Sequence, residues 1–233
     1  MALIKYCKLP FHFDQQLLQQ DLQQLLEKSW QPHYQKLHYE GGWSALPLRS
    51  VNGDPDNIIV SPNDAPVYKD TVFLDKCPYY KAILSQFQCP LQSVRLLKLN
   101  AGAVIKEHKD AELNFEQGEA RLHIPVITNK NVEFILDGEP LHLKQGECWY
   151  MNVNLKHSVA NRGTEDRIHL VIDAKVNDWI SDLFLNRTTD KAETSETDYD
   201  ISVKQQMILM LREMGTETGN KLADEMEATL NNP

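Results

Sequence analysis

Hydrophobic and polar positions alternate with two different periods along the chain, and the change from one to the other marks its organisation. Between residues 14 and 30, Leu17, Leu18, Leu22, Leu25 and Leu26 recur at helical spacing against a glutamine-rich face, which predicts an amphipathic helix. Asp14 stands before the first apolar position, where a carboxylate accepts hydrogen bonds from the free N–H groups of the first turn. The segment 41–70 is rich in Gly, Pro, Asn and Asp and predicts long connections around one or two short strands. PYYKAILSQF, residues 78–87, suits a short helix with proline in its first turn.

From residue 92 the period shortens. SVRLLKLN, AVIKEH, ARLHIPVI, VEFILDG, PLHLKQ, ECWYMNV, HSVANR and RIHLVID follow one another, separated by turn signals such as NAG, EQGE, DGEP and NRGTED. Many short strands with regular punctuation predict a mainly β domain, a double-stranded β-helix (jelly roll, cupin-like), with the sheet ending near Asp173. VNDWISDLFLN then returns to helical texture. Residues 186–200 are polar, charged and aperiodic and predict a linker or mobile loop. Helical periodicity resumes through Val203, Met207, Leu211 and Met214 and again through Leu222, Met226 and Leu230. The expected organisation is a β domain over 1–185 with an N-terminal helical part, a linker over 186–200 and a helical appendage over 201–233. These tail helices are expected to pack on the core, form a lid or make a homo-oligomer contact.

Charge narrows the classes of partner. The formal net charge is -9, which argues against nucleic acid, because phosphate binding needs clustered Lys and Arg. No apolar run approaches the roughly 18 residues that cross a bilayer, so no membrane partner is expected. The opening MALIKYCKLPFHF has no long apolar stretch followed by small residues, and a cytoplasmic protein is expected. Cys7, Cys77, Cys89 and Cys148 are scattered and read as reduced thiols rather than a disulfide or zinc framework.

The candidate chemistry begins with KEHKDAELN, residues 106–114, where His108 and Asp110 stand two positions apart. In an extended segment such residues project to the same side, as two ligands of one metal would. Two rivals exist: HFD at 12–14, which capping by Asp14 explains, and HYE at 38–40, which runs into Gly41-Gly42 and reads as loop. A third ligand must come from a distant strand, and His157 in LKHSV can supply it, although a histidine satisfied within its strand is the plainer reading of that residue alone. Two neutral imidazoles and one carboxylate suit a non-haem Fe(II) site. Alternation in RIHLVID places Arg167, His169, Val171 and Asp173 on one face and Ile168, Leu170 and Ile172 on the other. In ARLHIPV, Arg121 and His123 likewise share a face. An inward-facing arginine needs an anion, and its fork matches a carboxylate; the alternative is a surface Arg167 paired with Glu165 or Asp166.

HKD at 108–110, RLHIPV at 121–126, GECWYMN at 146–152 and HSVANRGTEDRIHLVID at 157–173 together resemble the aspartyl/asparaginyl β-hydroxylase family, which includes proline cis-hydroxylase-like members. The resemblance covers roughly residues 40–180. It implies an Fe(II)- and 2-oxoglutarate-dependent dioxygenase that consumes O2 and hydroxylates an amino acid, free or within a peptide. It implies iron on His108, Asp110 and His157, the distal carboxylate of 2-oxoglutarate on Arg167, and Arg121 with His123 near its chelating end. The animal enzymes carry Gly in place of Asp110, and their 2-oxoglutarate-binding Ser corresponds to Leu97. Trp43 and Arg49, in GGWSALPLRS, are candidates for walling the mouth and binding a substrate carboxylate, against plainer readings as core Trp and surface Arg. Two other classes compete: a cupin-like module that binds a small acid without turnover, and an interaction scaffold that works through its tail helices. Two inward arginines argue against the first, and three intact ligands against the second.

Overall fold

A computed structural model describes residues 3–26, 28, 30–60, 67–110 and 113–188, together with Ile208, Arg212, Ala223, Asp224 and Glu227 of the tail. Strand β1 (Tyr6–His12) precedes helix α1 (Gln15–Gln23), followed by strands β2 (Gln31–Pro32), β3 (Tyr39–Glu40), β4 (Trp43–Val51) and β5 (Tyr68–Asp70). Helix α2 (Pro78–Leu84) leads into β6 (Leu91–Leu99), β7 (Val104–His108), β8 (Glu119–Ile127), β9 (Val132–Leu136) and β10 (Glu139–Leu141). Strands β11 (Glu147–Met151), β12 (His157–Asn161) and β13 (Arg167–Lys175) and helix α3 (Asp178–Thr188) complete the order. Eight strands form one sheet in the order β1-β11-β8-β13-β6-β4-β2, with β5 on β4, and five form a second, β10-β9-β12-β7-β3. Mainly β structure in two antiparallel sheets is the jelly-roll core that the strand texture predicts.

The larger sheet is buried on both faces, and the period-2 alternation of its strands explains why. Ile168, Leu170 and Ile172 of β13, Leu122 and Ile124 of β8, and Val94 and Leu96 of β6 join one core with Leu18 and Leu22 of α1, Tyr80 and Ile83 of α2, and Ile180 and Phe184 of α3. Each such side chain taken from water contributes roughly 1.5–3 kcal/mol, so this apolar face fixes the sheet against the helices. The residues between them, Arg95, Arg121, His123, Arg167, His169 and Asp173, are equally buried and belong to the other face. That face shares the space between the sheets with a second core built from Trp43, Leu99, Ile105, Phe134, Leu136, Met151 and Val159.

Local signals explain several boundaries. Asp14 Oδ1 accepts from Gln16 N at 2.8 Å and Leu17 N at 3.0 Å, the cap expected of it. The helix it starts ends at Gln23 and is shorter than the periodicity suggests; Leu18, Leu22 and Leu25 are buried whereas Leu17 and Leu26 stay 39% and 45% exposed. Asp137 and Gly138, with φ of 49° and 81°, make the tight turn joining β9 to β10, for which Asp-Gly is favoured. Strand β1 has no counterpart among the sequence expectations; it pairs with β11 as an edge strand.

The chain divides into two units, Met1–Leu185 and Asn186–Pro233. Helix α3 runs to Thr188, so the first three positions of the expected linker are helical, and residues 189–200 lie outside those described. In the second unit the Arg212 guanidinium meets Asp224 at 2.9 Å and Glu227 at 2.6 Å; the remaining tail expectations fall outside the described residues. Among the described residues no helix is long and apolar enough to cross a membrane.

Candidate metal centre

His108 is the last residue of β7 and His157 the first of β12, and the two are directly opposite in the antiparallel pairing of those strands. Their rings lie 4.3 Å apart, centroid to centroid. Asp110 follows β7 by two residues and is pinned there by its own N–H, which donates to Val153 O at 2.9 Å. One potential ligand atom from each of the three falls within 4.8 Å of the others, and His108 Nε2 stands 3.5 Å from Asp110 Oδ1. The alternation argument, which puts residues two apart on one side, thus holds across the strand end.

Hydrogen bonds decide which ring nitrogen is free. His108 Nδ1 lies 2.8 Å from Lys106 O and His157 Nδ1 lies 3.0 Å from Leu155 O, each a carbonyl two residues back. A carbonyl only accepts, so both Nδ1 atoms carry the proton and both Nε2 atoms present a lone pair in the neutral rings. Asp110 is divided in the same way. Its Oδ2 accepts from Arg121 Nη1 at 2.5 Å, which leaves Oδ1 for the cluster. Burial favours the neutral acid at Asp110, but the hydrogen bond that the protonated form of His108 donates and the charge of Arg121 outweigh it and hold the carboxyl well below its ordinary range. At His157 burial dominates and lowers the ring's affinity for a proton. At His108 burial also pulls downward, yet the bonds to Asp110 and to Lys106 O overcome it and the net shift is upward. Two imidazole lone pairs and one ionised oxygen, two of them already 3.5 Å apart, fit one divalent cation, whose neighbouring ligands at about 2.1 Å each would lie about 3 Å from one another.

Behind the triad stands a buried ionic chain. Asp173, fully buried, accepts from Arg121 Nε at 2.6 Å and Nη2 at 3.2 Å and from Arg95 Nη2 at 2.9 Å. Arg95 is closed off by Ile58 O at 3.0 Å. Arg121 therefore does not stand free beside the cluster; its fork is spent on Asp173 and Asp110. His123, on the same face of β8, has neither ring nitrogen hydrogen-bonded, and burial followed by the charges of Arg167 and Arg121 keeps it neutral.

Arg167 differs from the other two buried arginines. It is 3% exposed, and among the described residues no carboxylate meets it. Burial alone pushes its guanidinium down to about 9, so it remains a cation at neutral pH. That burial overturns the surface reading, and Asp166 accepts from Ala101 N at 3.2 Å. Arg167 lines a cavity of about 40 Å3 together with the triad, Arg121, His123, Leu97, Phe134 and Trp43.

Trp43 reaches the site and Arg49 does not. The Trp43 ring is 6.5 Å from that of His108. The Arg49 guanidinium, six residues along β4, is taken up by Asp70 at 2.5 Å, Tyr68 O at 3.0 Å and Leu91 O at 3.3 Å. Residues 38–40, read as loop, are corrected: His38 closes a 3-10 turn, Tyr39–Glu40 pair with β7, and the His38 ring is 5.1 Å from His108. His33 stacks on Trp43 at 3.4 Å and 12°. Sequence reasoning also missed Phe134, whose ring lies parallel to His157 (9°) at 6.4 Å, and Arg95. The signal for Arg95 was its place beside Leu97 on the inward face of SVRLLKLN; for His38 no local pattern existed.

A two-sheet β barrel with a His-x-Asp…His cluster on its inner faces, backed by buried arginines, defines a class of metal-binding jelly rolls. Within that class the chain belongs to the aspartyl/asparaginyl beta-hydroxylase family, whose model matches residues 12–176. It is 28% identical over 163 residues to L-proline cis-4-hydroxylase of Rhizobium meliloti (strain 1021), a match spanning 69% of this chain and 57% of that protein. A 2OG-Fe(II) oxygenase family oxidoreductase from Burkholderia pseudomallei shares the fold with a TM-score of 0.50 at 13% identity, over 74% of this chain and 86% of that one. HygX from Streptomyces hygroscopicus, solved with nickel and 2-oxoglutarate bound, is a weaker likeness, with a TM-score of 0.48 at 9% identity over 74% and 83%.

Proposed function

We propose that this chain is an Fe(II)- and 2-oxoglutarate-dependent dioxygenase that hydroxylates a C–H of an amino acid, free or within a peptide or protein. The observation that carries the reading is the pairing of two features on one inner surface. One is the triad, with both Nε2 atoms left free by carbonyl bonds. The other is Arg167, a buried cation without an acid partner, lining the same cavity. In this reading His108, Asp110 and His157 hold iron and Arg167 takes the distal carboxylate of 2-oxoglutarate.

With O2, iron and 2-oxoglutarate supply the oxidising chemistry, one oxygen atom ending in succinate and the other in the C–H, with release of CO2. The protein's own part is positional. Arg121 holds one oxygen of Asp110 and is itself held by Asp173, so the carboxylate offers a single atom in a fixed direction. Leu97, Phe134 and Trp43 keep the cavity apolar where water would compete. The name of the Rhizobium relative supports an amino-acid substrate, and Trp43 with His38 beside His108 would wall its approach.

Anaerobic titration with Fe(II) and 2-oxoglutarate, followed by succinate release under O2, tests the reading. A metal-to-2-oxoglutarate charge-transfer band is expected, with succinate formed when an amino-acid panel is supplied. Absence of the band, together with undiminished iron binding by Asp110→Ala, would sink it. A band without succinate from any member of an amino-acid and peptide panel would favour a cupin-like module that binds the acid without turnover.

A further inference from the structure

Residues 33–38 join two strands that belong to different sheets. Strand β2 lies at an edge of the larger sheet, paired with β4, and β3 at an edge of the smaller one, paired with β7. The segment between them is therefore a strap across the gap between the sheets. It crosses beside the triad. At one end His33 lies against Trp43, which lines the triad's cavity, and at the other the His38 ring is 5.1 Å from that of His108.

The His33 end is fastened by backbone and ring alike. Its N–H donates to Trp43 O at 2.9 Å, its carbonyl accepts from the Tyr39 hydroxyl at 3.4 Å, and its Nδ1 accepts from Gln35 N at 3.4 Å. Burial, and then the charge of Arg95, lowers its pKa to about 3, so the ring is neutral at neutral pH. Two rings stack on it, Trp43 at 3.4 Å and 12° and Tyr34 at 4.6 Å and 24°. Two rings cannot share one face at those distances, so they take opposite faces. Trp43, His33 and Tyr34 thus form one pile that leads outward from the cavity wall. The inner two are buried and Tyr34 is 51% exposed. A tyrosine at that place joins an apolar ring to a polar tip.

A C–H that is to be hydroxylated must face the triad, so a substrate's side chain enters ahead of its backbone groups. Inside it meets Leu97, Ile105, Phe134, Val153 and Val159. The cations lining the same cavity are committed, Arg121 to Asp110 and Asp173 and, in the proposed function, Arg167 to the co-substrate. A charged side chain would be stripped of water there without a partner. We propose that the site takes an amino acid with an uncharged aliphatic side chain, and that the strap determines this specificity, with the substrate's Cα end resting on Tyr34 at the outside of the ring pile. The inference rests on the proposed function, because that reading fixes which end of the substrate faces the triad.

The test is calorimetric titration, without O2, of the full chain loaded with Mn(II) and 2-oxoglutarate, using L-proline, L-leucine, L-aspartate and L-lysine. Proline or leucine should bind at least tenfold more tightly than either charged amino acid. Tyr34→Ala should weaken the preferred amino acid at least tenfold while Mn(II) and 2-oxoglutarate affinities stay unchanged. His33→Ala should do the same by loosening the pile, and His33→Phe, which keeps a stacked ring, should restore binding. Should His33→Ala fail to fold, the exposed Tyr34 still decides. Binding of none of the four, equal affinity for aspartate or lysine, or an unchanged affinity in Tyr34→Ala would overturn the proposal. If the charge-transfer band with Fe(II) is missing while aliphatic amino acids bind and respond to Tyr34, the hydroxylase reading fails and the strap's role stands. A normal band with Tyr34-independent binding gives the reverse.

Discussion

Asp173→Asn is the sharpest perturbation of the ionic chain behind the triad. The side chain keeps its shape, but a carboxylate that accepts three bonds, at 2.6, 2.9 and 3.2 Å, becomes an amide with one acceptor oxygen. Its NH2 group then faces guanidinium N–H groups, donor against donor. Asp173 is fully buried and Arg95 and Arg121 nearly so, which means that water cannot replace the lost acceptor. Removing one partner of a buried ionic set costs about 3–5 kcal/mol, because it leaves uncompensated charge in the interior. Against a typical stability of about 5–15 kcal/mol the loss is severe, and in a domain of this size it lowers the melting temperature by on the order of 10 °C. The assay is thermal unfolding of the metal-free protein by circular dichroism, with Mn(II) affinity measured below the transition. Affinity should fall too, because Arg121 no longer holds Asp110 in one direction. A melting temperature within 2 °C of wild type would refute the claim that Asp173 anchors the two arginines.

Other consequences are more local. Arg167→Met should weaken 2-oxoglutarate on the order of 100-fold, the loss expected when a buried charged contact is truncated, with iron affinity nearly unchanged; equal loss of both would mark the arginine as structural. Asp14→Ala removes two N–H acceptors from the start of α1 and should cost about 1 kcal/mol, read from the same unfolding transition. Metal binding should weaken as pH falls. The His108 pKa is raised, with burial outweighed by its bonds to Asp110 and Lys106 O, so a proton occupies Nε2 at a higher pH than in a free imidazole. The metal must displace that proton, and below the His108 pKa affinity should drop about tenfold per pH unit; Mn(II) titrations across that range, flat with pH, would contradict this.

How far the site could be read in advance depended on whether a residue's partners were set by alternation or by long-range packing. His108, Asp110 and His157 were accessible because i and i+2 share a side and because β7 and β12 each place the histidine at a strand end. The inward face of β13 was accessible for the same reason: RIHLVID admits only one division of polar from apolar positions. Arg49 shows the limit. Its strand was foreseeable, but its partner Asp70 arrives from β5, across a connection whose path no periodicity reveals. His38 failed in the opposite direction, since nothing in HYEGG announces that a 3-10 turn and a two-residue strand will carry that ring to 5.1 Å from His108. Arg121 fell between. Its face was right, but its engagement with Asp173 required knowing that β8 and β13 pair with Arg121 opposite Asp173.

That pairing also bears on how the ligands should depend on one another. The inner surface holds three buried guanidinium groups, Arg95, Arg121 and Arg167, and two buried or half-buried carboxylates, Asp110 and Asp173. The charges of Arg95 and Arg121 are balanced by the carboxylates, and the surplus charge sits on Arg167. A divalent cation arriving alone adds to that surplus in a water-poor space, where like charges are costly. A dianion arriving with it cancels the addition and supplies Arg167 with the acceptor it lacks. Metal and 2-oxoglutarate should therefore bind with positive coupling, and linkage requires that each raise the other's affinity by the same factor. The measurement is a closed cycle: Mn(II) affinity with and without 2-oxoglutarate, and 2-oxoglutarate affinity with and without Mn(II). A factor of at least 10 on both legs is the expectation for ligands that share a site and offset each other's charge, since even modest couplings of 1–3 kcal/mol correspond to about 5–150-fold. Succinate cancels the same charge but lacks the 2-oxo group as a metal ligand, so it should couple through charge alone and more weakly than 2-oxoglutarate. Independent binding of Mn(II) and 2-oxoglutarate would mean that the diacid on Arg167 and the metal on the triad do not occupy one connected site.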